Sequence, residues 1–179
     1  TIVRKTETEP IEIDIIRDII KIQSVYAKTI NDDFSKAVYS DYLNAIDPLK
    51  RYFLASDIEE FQAFETLLDD QIIDKDISFF NLTHERLVAR MKEAKEFYPD
   101  LLSKPFDFNE NETINTDYEN IAYAKDKAEL KDRWRKQLKF STLGTYLEKQ
   151  EEQERDDTEI VNKTDKELEE ASRDVTKTS

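Results

Sequence analysis

The sequence predicts an all-α protein, an irregular bundle of about six helices. The chain of 179 residues contains one glycine and four prolines, whereas sheet proteins use glycine at many tight turns and bulges. Apolar residues recur at three- and four-residue intervals, as they do on the buried face of a helix. The length favours one domain with a single core, with two small lobes as the alternative.

The first two helices are predicted from apolar spacing and from their ends. The first follows Pro10, because the apolar positions of residues 15–25 lie on one broad helical face. Asn31 is a candidate cap for the second helix. That helix is predicted to stop at Asp47-Pro48, because the residue before a proline disfavours helical geometry.

The third and fourth helices carry similar signals. Ser56 and Glu59 have the spacing of a capping box, and the apolar positions after them predict a helix that continues to Leu68. A longer helix is predicted over residues 76–101. Its apolar positions keep their phase across Pro99, so a kink is expected there rather than an end.

Residues 104–125 lose helical periodicity and gather asparagine, threonine and aromatic residues, which predicts a long ordered loop held by its rings. A structural strap is favoured over a ligand-binding loop, because aromatic residues commonly pack at helix edges. Asp126 and Glu129 then have the spacing of another capping box. The helix that they begin carries Trp134, the chain's one tryptophan, on an apolar stripe at four-residue intervals, which predicts a core position.

A last helix is predicted to start at Thr164, which is spaced as a capping box with Glu167. Its apolar stripe is thin and consists of Leu168, Ala171 and Val175. Such a helix requires something to pack against.

The C-terminal part of the chain is strongly acidic. A solvated helical face is the favoured interpretation of this charge, and a missing partner or continuation fits equally well. We divide the chain accordingly into a helical domain over residues 1–147 and an acidic helical extension over residues 148–179.

The types of residue present argue against a catalytic, metal-binding or cofactor-binding site. There is one histidine, His84, and no cysteine, so histidine triads, thiolate sites and histidine metal motifs have no candidate residues. Phosphate-binding loops and EF-hands are not predicted, because both require glycine at fixed positions and the candidate stretches have none. A formal charge of −14 disfavours nucleic acid and anionic membranes, and no apolar run approaches the length of a membrane span. No catalytic residue, metal site or cofactor is predicted.

The segment from Asp47 to Leu54, DPLKRYFL, and the following SDIEEF at residues 56–61 resemble the N-terminal helical region of bacterial tail-specific proteases, also called carboxy-terminal processing proteases. Residues 104–108 and 129–140 reinforce the resemblance. The residues taken as the family motif are Asp47, Pro48, Arg51, Tyr52, Phe53, Leu54, Ser56, Asp57, Phe61 and Trp134.

The resemblance implies a noncatalytic region of an exported serine protease. In that family the region precedes a PDZ domain and a protease domain with a Ser/Lys dyad, which degrades or trims envelope proteins from their C-termini. The implied partners are those two domains, an adaptor protein and unfolded substrates, and the implied location is the bacterial periplasm. Because the chain begins at Thr1 rather than methionine, we expect an upstream piece to have been removed.

Two other readings stay open. The runner-up is a freestanding acidic interaction module that binds a basic partner, and the third is a metal enzyme that uses carboxylates alone. The motif also has a physical interpretation of its own: Pro48 ends a helix, the apolar residues 52–54 plug the junction, and Ser56 caps the next helix. A rigid structural corner is favoured over a ligand contact.

Overall fold

The computed structural model describes residues 15–19, 21, 30–155 and 163–179. Within these ranges the protein is helical and contains no strand, apart from one isolated parallel bridge between Leu54 and Ala124. The predicted all-α class is confirmed. Residues 15–19 and 21 are helical, and the rest of the predicted first helix lies outside the described residues.

The helices after this stretch are numbered here in chain order. They are α1 (Asp32–Ile46), α2 (Ala55–Phe61), a 3-10 helix (Gln62–Phe64), α3 (Leu68–Asp74), α4 (Ser78–Leu101), α5 (Lys127–Arg155) and α6 (Asp165–Thr178). No helix in the described ranges is both long enough and apolar enough to cross a membrane.

The chain divides into two compact units. The first comprises the described residues up to Ile46 together with residues 59–83, and the second comprises residues 47–58 and the described residues from 84 to 179. Helices α2 and α4 therefore contribute residues to both units.

The first unit is built from α1, α3 and the start of α4 around a cluster of aromatic rings. Phe79 is fully buried and contacts the ring of Tyr42 at 5.5 Å between centroids and that of Phe61 at 6.4 Å. The predicted cap of α1 is confirmed, since the Phe34 amide donates to Asn31 Oδ1 at 3.1 Å. Helix α1 ends at Ile46, immediately before Asp47-Pro48 as predicted.

The predicted continuous helix from Ser56 to Leu68 is wrong. Helix α2 ends at Phe61, and α3 begins only at Leu68. The physical reason is a contact from α1, because the Ser35 hydroxyl donates to the Glu65 carbonyl at 2.7 Å and accepts from the Leu68 amide at 2.8 Å. Ser35 thus satisfies backbone groups that a continuous helix would have paired internally.

The long helix α4 contains Pro99 within its bounds, so the proline does not end it, as predicted. The predicted loop is also confirmed, since residues 104–125 form neither helix nor strand apart from the bridge at Ala124.

The second unit has its core around Trp134. Leu130, Trp134 and Leu138 of α5 are buried together, as their four-residue spacing predicted. They pack with Leu54, Ala94, Leu102 and Ala124, and with partly buried rings that include Phe97 and Phe106.

Helix α6 packs against α5, which is the support that its thin apolar stripe required. The capping box of Thr164 with Glu167 is confirmed. The predicted buried stripe is wrong at Val175, which is 44% exposed. Small hydroxyl side chains take its place, and Thr176 of α6 shares a 2.8 Å hydrogen bond with Thr142 of α5.

Candidate functional site

The candidate site is the segment from Asp47 to Asp57 in the second unit, called here the corner. It begins with a carboxylate that is 1% exposed, that of Asp47. The Arg51 amide donates to Asp47 Oδ1 at 3.0 Å, and the amides of Tyr52 and Phe53 donate to Oδ2 at 3.1 and 3.0 Å. One carboxylate therefore holds three successive amides, which is strong because each bond is charge-assisted.

Three successive carbonyls of the corner are held by side chains of α5. Gln137 Nε2 donates to the Leu49 carbonyl at 3.1 Å, and an Arg133 guanidinium nitrogen donates to the Lys50 carbonyl at 2.8 Å. Trp134 Nε1 donates to the Arg51 carbonyl at 2.6 Å. The tryptophan therefore fixes the corner through its polar edge while its rings fill the core.

The second buried carboxylate belongs to Asp57, which is also 1% exposed. It accepts from the Leu54 amide at 2.9 Å, from Arg86 at 2.5 Å, and from two guanidinium nitrogens of Arg90 at 2.9 Å each. Burial raises the pKa of the Asp57 carboxyl, but the bonds from Arg90, the Leu54 amide and Arg86 outweigh burial and hold this pKa below its usual range.

The predicted capping role of Ser56 is wrong. Helix α2 begins at Ala55, so Ser56 lies within its first turn and its side chain is exposed. Asp57 takes the capping role from inside the helix by accepting the Leu54 amide. An ionised aspartate can do this and bind two arginines at once, because its two oxygens offer several acceptor sites.

Lys50 lies in the middle of the corner and is 6% exposed, with a positive φ of 46°. Its amine donates to the carbonyls of Glu119 at 3.0 Å and Ile121 at 2.7 Å, and it lies 5.0 Å from the ring centre of Tyr123. Burial and the neighbouring Arg133 guanidinium lower the pKa of this amine. The left-handed backbone geometry is costly for a non-glycine residue, and these contacts offset the cost.

The apolar motif residues divide by burial. Phe53 and Phe61 are fully buried and Leu54 is 6% exposed, whereas Tyr52 is half-buried and Pro48 is exposed. The interpretation of this segment as a structural corner stays a prediction, although the hydrogen bonds described above favour it.

The loop of residues 104–125 is attached to α5 by ion pairs. Arg135 binds Glu112 through two nitrogens at 3.0 and 2.6 Å, and Lys139 contacts the same carboxylate. Hydrogen bonds from Arg135 and then Lys139 lower the pKa of Glu112 to about 2. Ion pairs therefore hold this stretch together with the predicted rings, since Phe106 packs against the core and the ring of Phe108 lies 5.2 Å from that of Tyr146.

Sequence reasoning missed the side chains that hold the corner from a distance. Arg86 and Arg90 of α4, and Arg133 and Gln137 of α5, were not among the candidates. A usable signal exists for α5, because Arg133, Trp134 and Gln137 fall on one side of a helix at successive intervals of one and three residues.

No group of three or more histidine, aspartate or glutamate side chains in the described ranges is arranged to hold a metal ion. His84, the one histidine of the sequence, lies within α4 and is half-buried.

These features define an all-α domain organised around a buried, hydrogen-bonded corner. The chain matches the family model described as tail specific protease N-terminal domain over residues 16–179. It is also 30% identical over 127 residues to the tail-specific protease of Haemophilus influenzae, an alignment that covers 70% of this chain and 18% of that protein. The chain therefore belongs to the family of tail-specific protease N-terminal domains, which confirms the resemblance drawn from the motif.

Proposed function

We propose that this chain is a noncatalytic scaffold of an exported tail-specific serine protease, where it packs beside the protease core, frames the substrate entrance and docks an adaptor. The family match over residues 16–179 is the observation that carries this proposal. The whole relative is far longer than the aligned region, which spans 18% of it. The peptidase activity is assigned to a Ser/Lys dyad outside this chain.

The bonding of the corner supports a structural role for its charged groups. A general base or nucleophile needs a group that is free to reach a substrate. The Asp47 carboxylate instead holds three backbone amides, and the Asp57 carboxylate is held by two arginines. The Lys50 amine, whose lowered pKa would otherwise make it a candidate base, donates to two carbonyls.

The proposed parent enzyme acts in the bacterial cell envelope and trims or degrades proteins from their C-termini. Its partners are the PDZ and protease domains of the same polypeptide, together with an adaptor and unfolded substrates. The family match and the Haemophilus influenzae relative, whose name describes a tail-specific protease, support this part of the proposal.

The scaffold role is tested by deleting residues 16–179 from the parent enzyme and measuring turnover of an unfolded substrate with and without its adaptor. The proposal expects the deletion to lower adaptor-dependent turnover, intrinsic turnover, or both. A deletion enzyme that is folded and unchanged in both assays would contradict it.

The noncatalytic assignment is tested on the 179-residue chain itself. Incubated with an unfolded substrate that bears an apolar C-terminus, the chain should produce no cleavage. Cleavage that persists after contaminating proteases have been removed would overturn the assignment.

A further inference from the structure

Beside the corner, the second unit contains a cavity of about 490 Å³, which is a typical volume for a ligand site. Its walls are aromatic, aliphatic, hydroxyl, amide and basic. Although 41 of the chain's 179 residues are acidic, none of the described residues that line this cavity has an acidic side chain. Two cations, Arg51 and Lys177, lie in its wall, and the Lys177 amine is paired with Asp174 at 3.0 Å. The cavity therefore differs in charge from the chain as a whole, and its lining suits an anionic ligand.

The Arg51 side chain is held by rings rather than by a carboxylate. Its guanidinium carbon lies 4.9 Å from the ring centre of Trp134 and 5.7 Å from that of Tyr52. No hydrogen bond or ion pair joins its guanidinium to any residue that the structure describes. A guanidinium stacked on aromatic faces keeps its in-plane N–H donors available, and those donors match a carboxylate.

Gln137 supplies an independent sign of a missing partner. It lines this cavity and a second one of about 220 Å³, is 8% exposed, and donates from Nε2 to the Leu49 carbonyl. Its Oε1 is buried and has no hydrogen-bond partner among the residues that the structure describes. A buried acceptor left in this state has lost its hydration without gaining a hydrogen bond, so a ligand N–H that reached it would be favoured.

The remaining wall suits an apolar side chain. Tyr52, Tyr98 and Trp134 line the cavity with their rings, and Tyr98 stacks on Trp134 at 6.2 Å between centroids with an interplanar angle of 20°. Phe140, another lining residue, is 54% exposed. Rings that remain partly accessible around a cation provide both apolar contact and orientation.

We propose that this cavity binds a peptide segment in which an aspartate or glutamate adjoins an aromatic or branched aliphatic residue. The acidic side chain pairs with Arg51, a peptide N–H donates to Gln137 Oε1, and the apolar side chain packs against the rings. The proposal commits to a side-chain carboxylate, and not to a chain terminus, as the anion that pairs with Arg51. The inference rests on the proposed docking role for its biological meaning, but the binding itself is measured on this chain alone.

The experiment uses the fluorescence of Trp134, the one tryptophan of the chain, which lies in the cavity wall. The probe is acetyl-Phe-Glu-Leu-amide, titrated into the 179-residue chain at about 0.15 M salt so that the long-range repulsion between like charges is screened. Its uncharged analogue, acetyl-Phe-Gln-Leu-amide, serves as the ligand control. A third peptide, acetyl-Phe-Gln-Leu with a free terminal carboxylate, distinguishes a chain terminus from a side chain.

The proposal expects saturable binding of the glutamate peptide that is at least about tenfold tighter than binding of either other peptide, because a charge-assisted pair is involved. Arg51→Gln should weaken that binding by about tenfold or more. Phe140→Ser should weaken it several-fold and, because the ring is largely exposed, should not compromise folding. Lys166→Gln is the matched control, since it removes one positive charge from the exposed start of α6 and should leave binding within about twofold.

Several outcomes would overturn the proposal. They are equal binding of the glutamate and glutamine peptides, tighter binding of the free-terminus peptide, no saturable binding at millimolar peptide, and Arg51→Gln and Phe140→Ser variants that are folded yet bind unchanged. Failure here would leave the deletion assay of the parent enzyme untouched, because that assay measures turnover and not this cavity.

Discussion

Replacing Asp57 with asparagine removes one negative charge from the corner while almost preserving the shape of the side chain. The carboxylate, which is 1% exposed, accepts four hydrogen bonds, one from the Leu54 amide and three from the guanidinium groups of Arg86 and Arg90. An asparagine has one acceptor oxygen, and its NH₂ group would face donors instead of accepting from them. Asp57→Asn should therefore destabilise the second unit strongly.

The expected magnitude follows from these contacts. The asparagine oxygen can keep about two of the four bonds, and each lost bond to a charged group contributes about 1.5–3 kcal/mol. The low end applies, because Arg90 keeps its 2.9 Å contact with Glu93 and the Arg86 side chain is 27% exposed. We expect the free energy of unfolding to fall by about 3 kcal/mol, close to the cost of breaking a buried pair.

The assay is urea unfolding followed by the fluorescence of Trp134, which belongs to the same unit as Asp57. The matched control is Asp132→Asn. The Asp132 side chain is 52% exposed, and it pairs with Arg135 at 3.0 Å and Lys136 at 3.6 Å. An exposed pair of this kind contributes less than about 1 kcal/mol.

The pH dependence gives the prediction a second test. The folded pKa of Asp57 is lowered, so its stabilisation is complete above the unfolded pKa of about 3.9 and is lost as the pH falls through the folded pKa. The difference between wild type and Asp57→Asn should shrink as the pH is lowered from 7 towards 3. A variant no less stable than Asp132→Asn, or a difference that stays constant over this range, would refute the reasoning.

Three further changes test other contacts. Glu112→Gln removes the pairs with Arg135 and Lys139, so the free energy of unfolding in urea at pH 7 should fall by about 1 kcal/mol. This difference from wild type should disappear as the pH falls towards the folded pKa of Glu112, which is about 2. A difference that persists at that pH would contradict the prediction. Lys50→Met leaves two carbonyls without their donor and should cost about 2 kcal/mol in the same assay, and a neutral effect would contradict it. Lys75 has a φ of 57° at the end of α3, and Lys75→Gly should relieve the strain of this left-handed geometry. The free energy of unfolding, measured by thermal unfolding followed by circular dichroism, should rise by about 0.5–1 kcal/mol. Lys75→Ala keeps a β-carbon and should give no gain.

Local signals predicted most helix ends correctly. Asn31 and Thr164 cap helices because their side chains accept from amides three residues ahead, which is a contact within one turn. The break after Phe61 could not be predicted in this way. It depends on Ser35, which lies 30 residues or more from the backbone groups that it binds.

The buried face of α6 was mispredicted for a related reason. An apolar stripe is a reliable guide only where apolar residues face the core, and here Ser172 and Thr176 are buried while Val175 is exposed. Small hydroxyl side chains let two helices approach closely and satisfy their own polar groups by bonding to the preceding turn, as Ser172 does to the Leu168 carbonyl at 2.6 Å. Such a face is invisible to hydrophobic periodicity.

The motif located the corner, but the geometry of the corner depends on distant residues. Gln137 lies 88 residues from the carbonyl that it binds, and Arg133 and Trp134 each lie 83 residues from theirs. A single sequence does not indicate which helix packs against which loop, so these hydrogen bonds could not be predicted. The error at Ser56 shows the same limit, because the spacing of a capping box is present there while Asp57 caps the helix.

The hydrogen bonds of the corner explain how an irregular segment can be buried in an all-helical unit. Every backbone amide from Lys50 to Ala55 has an acceptor, supplied by Asp47, Asp57 or the Ala124 carbonyl, and the carbonyls of residues 49–51 have donors from α5. Buried backbone groups require such partners, which sheets and helices normally provide. The side chains of Asp47, Lys50 and Asp57 are all engaged in these bonds or in ion pairs. Arg51 differs from them, because its backbone is hydrogen-bonded while its guanidinium has no hydrogen bond to any described residue. This guanidinium is the group that binds the ligand carboxylate in the mode proposed for the cavity.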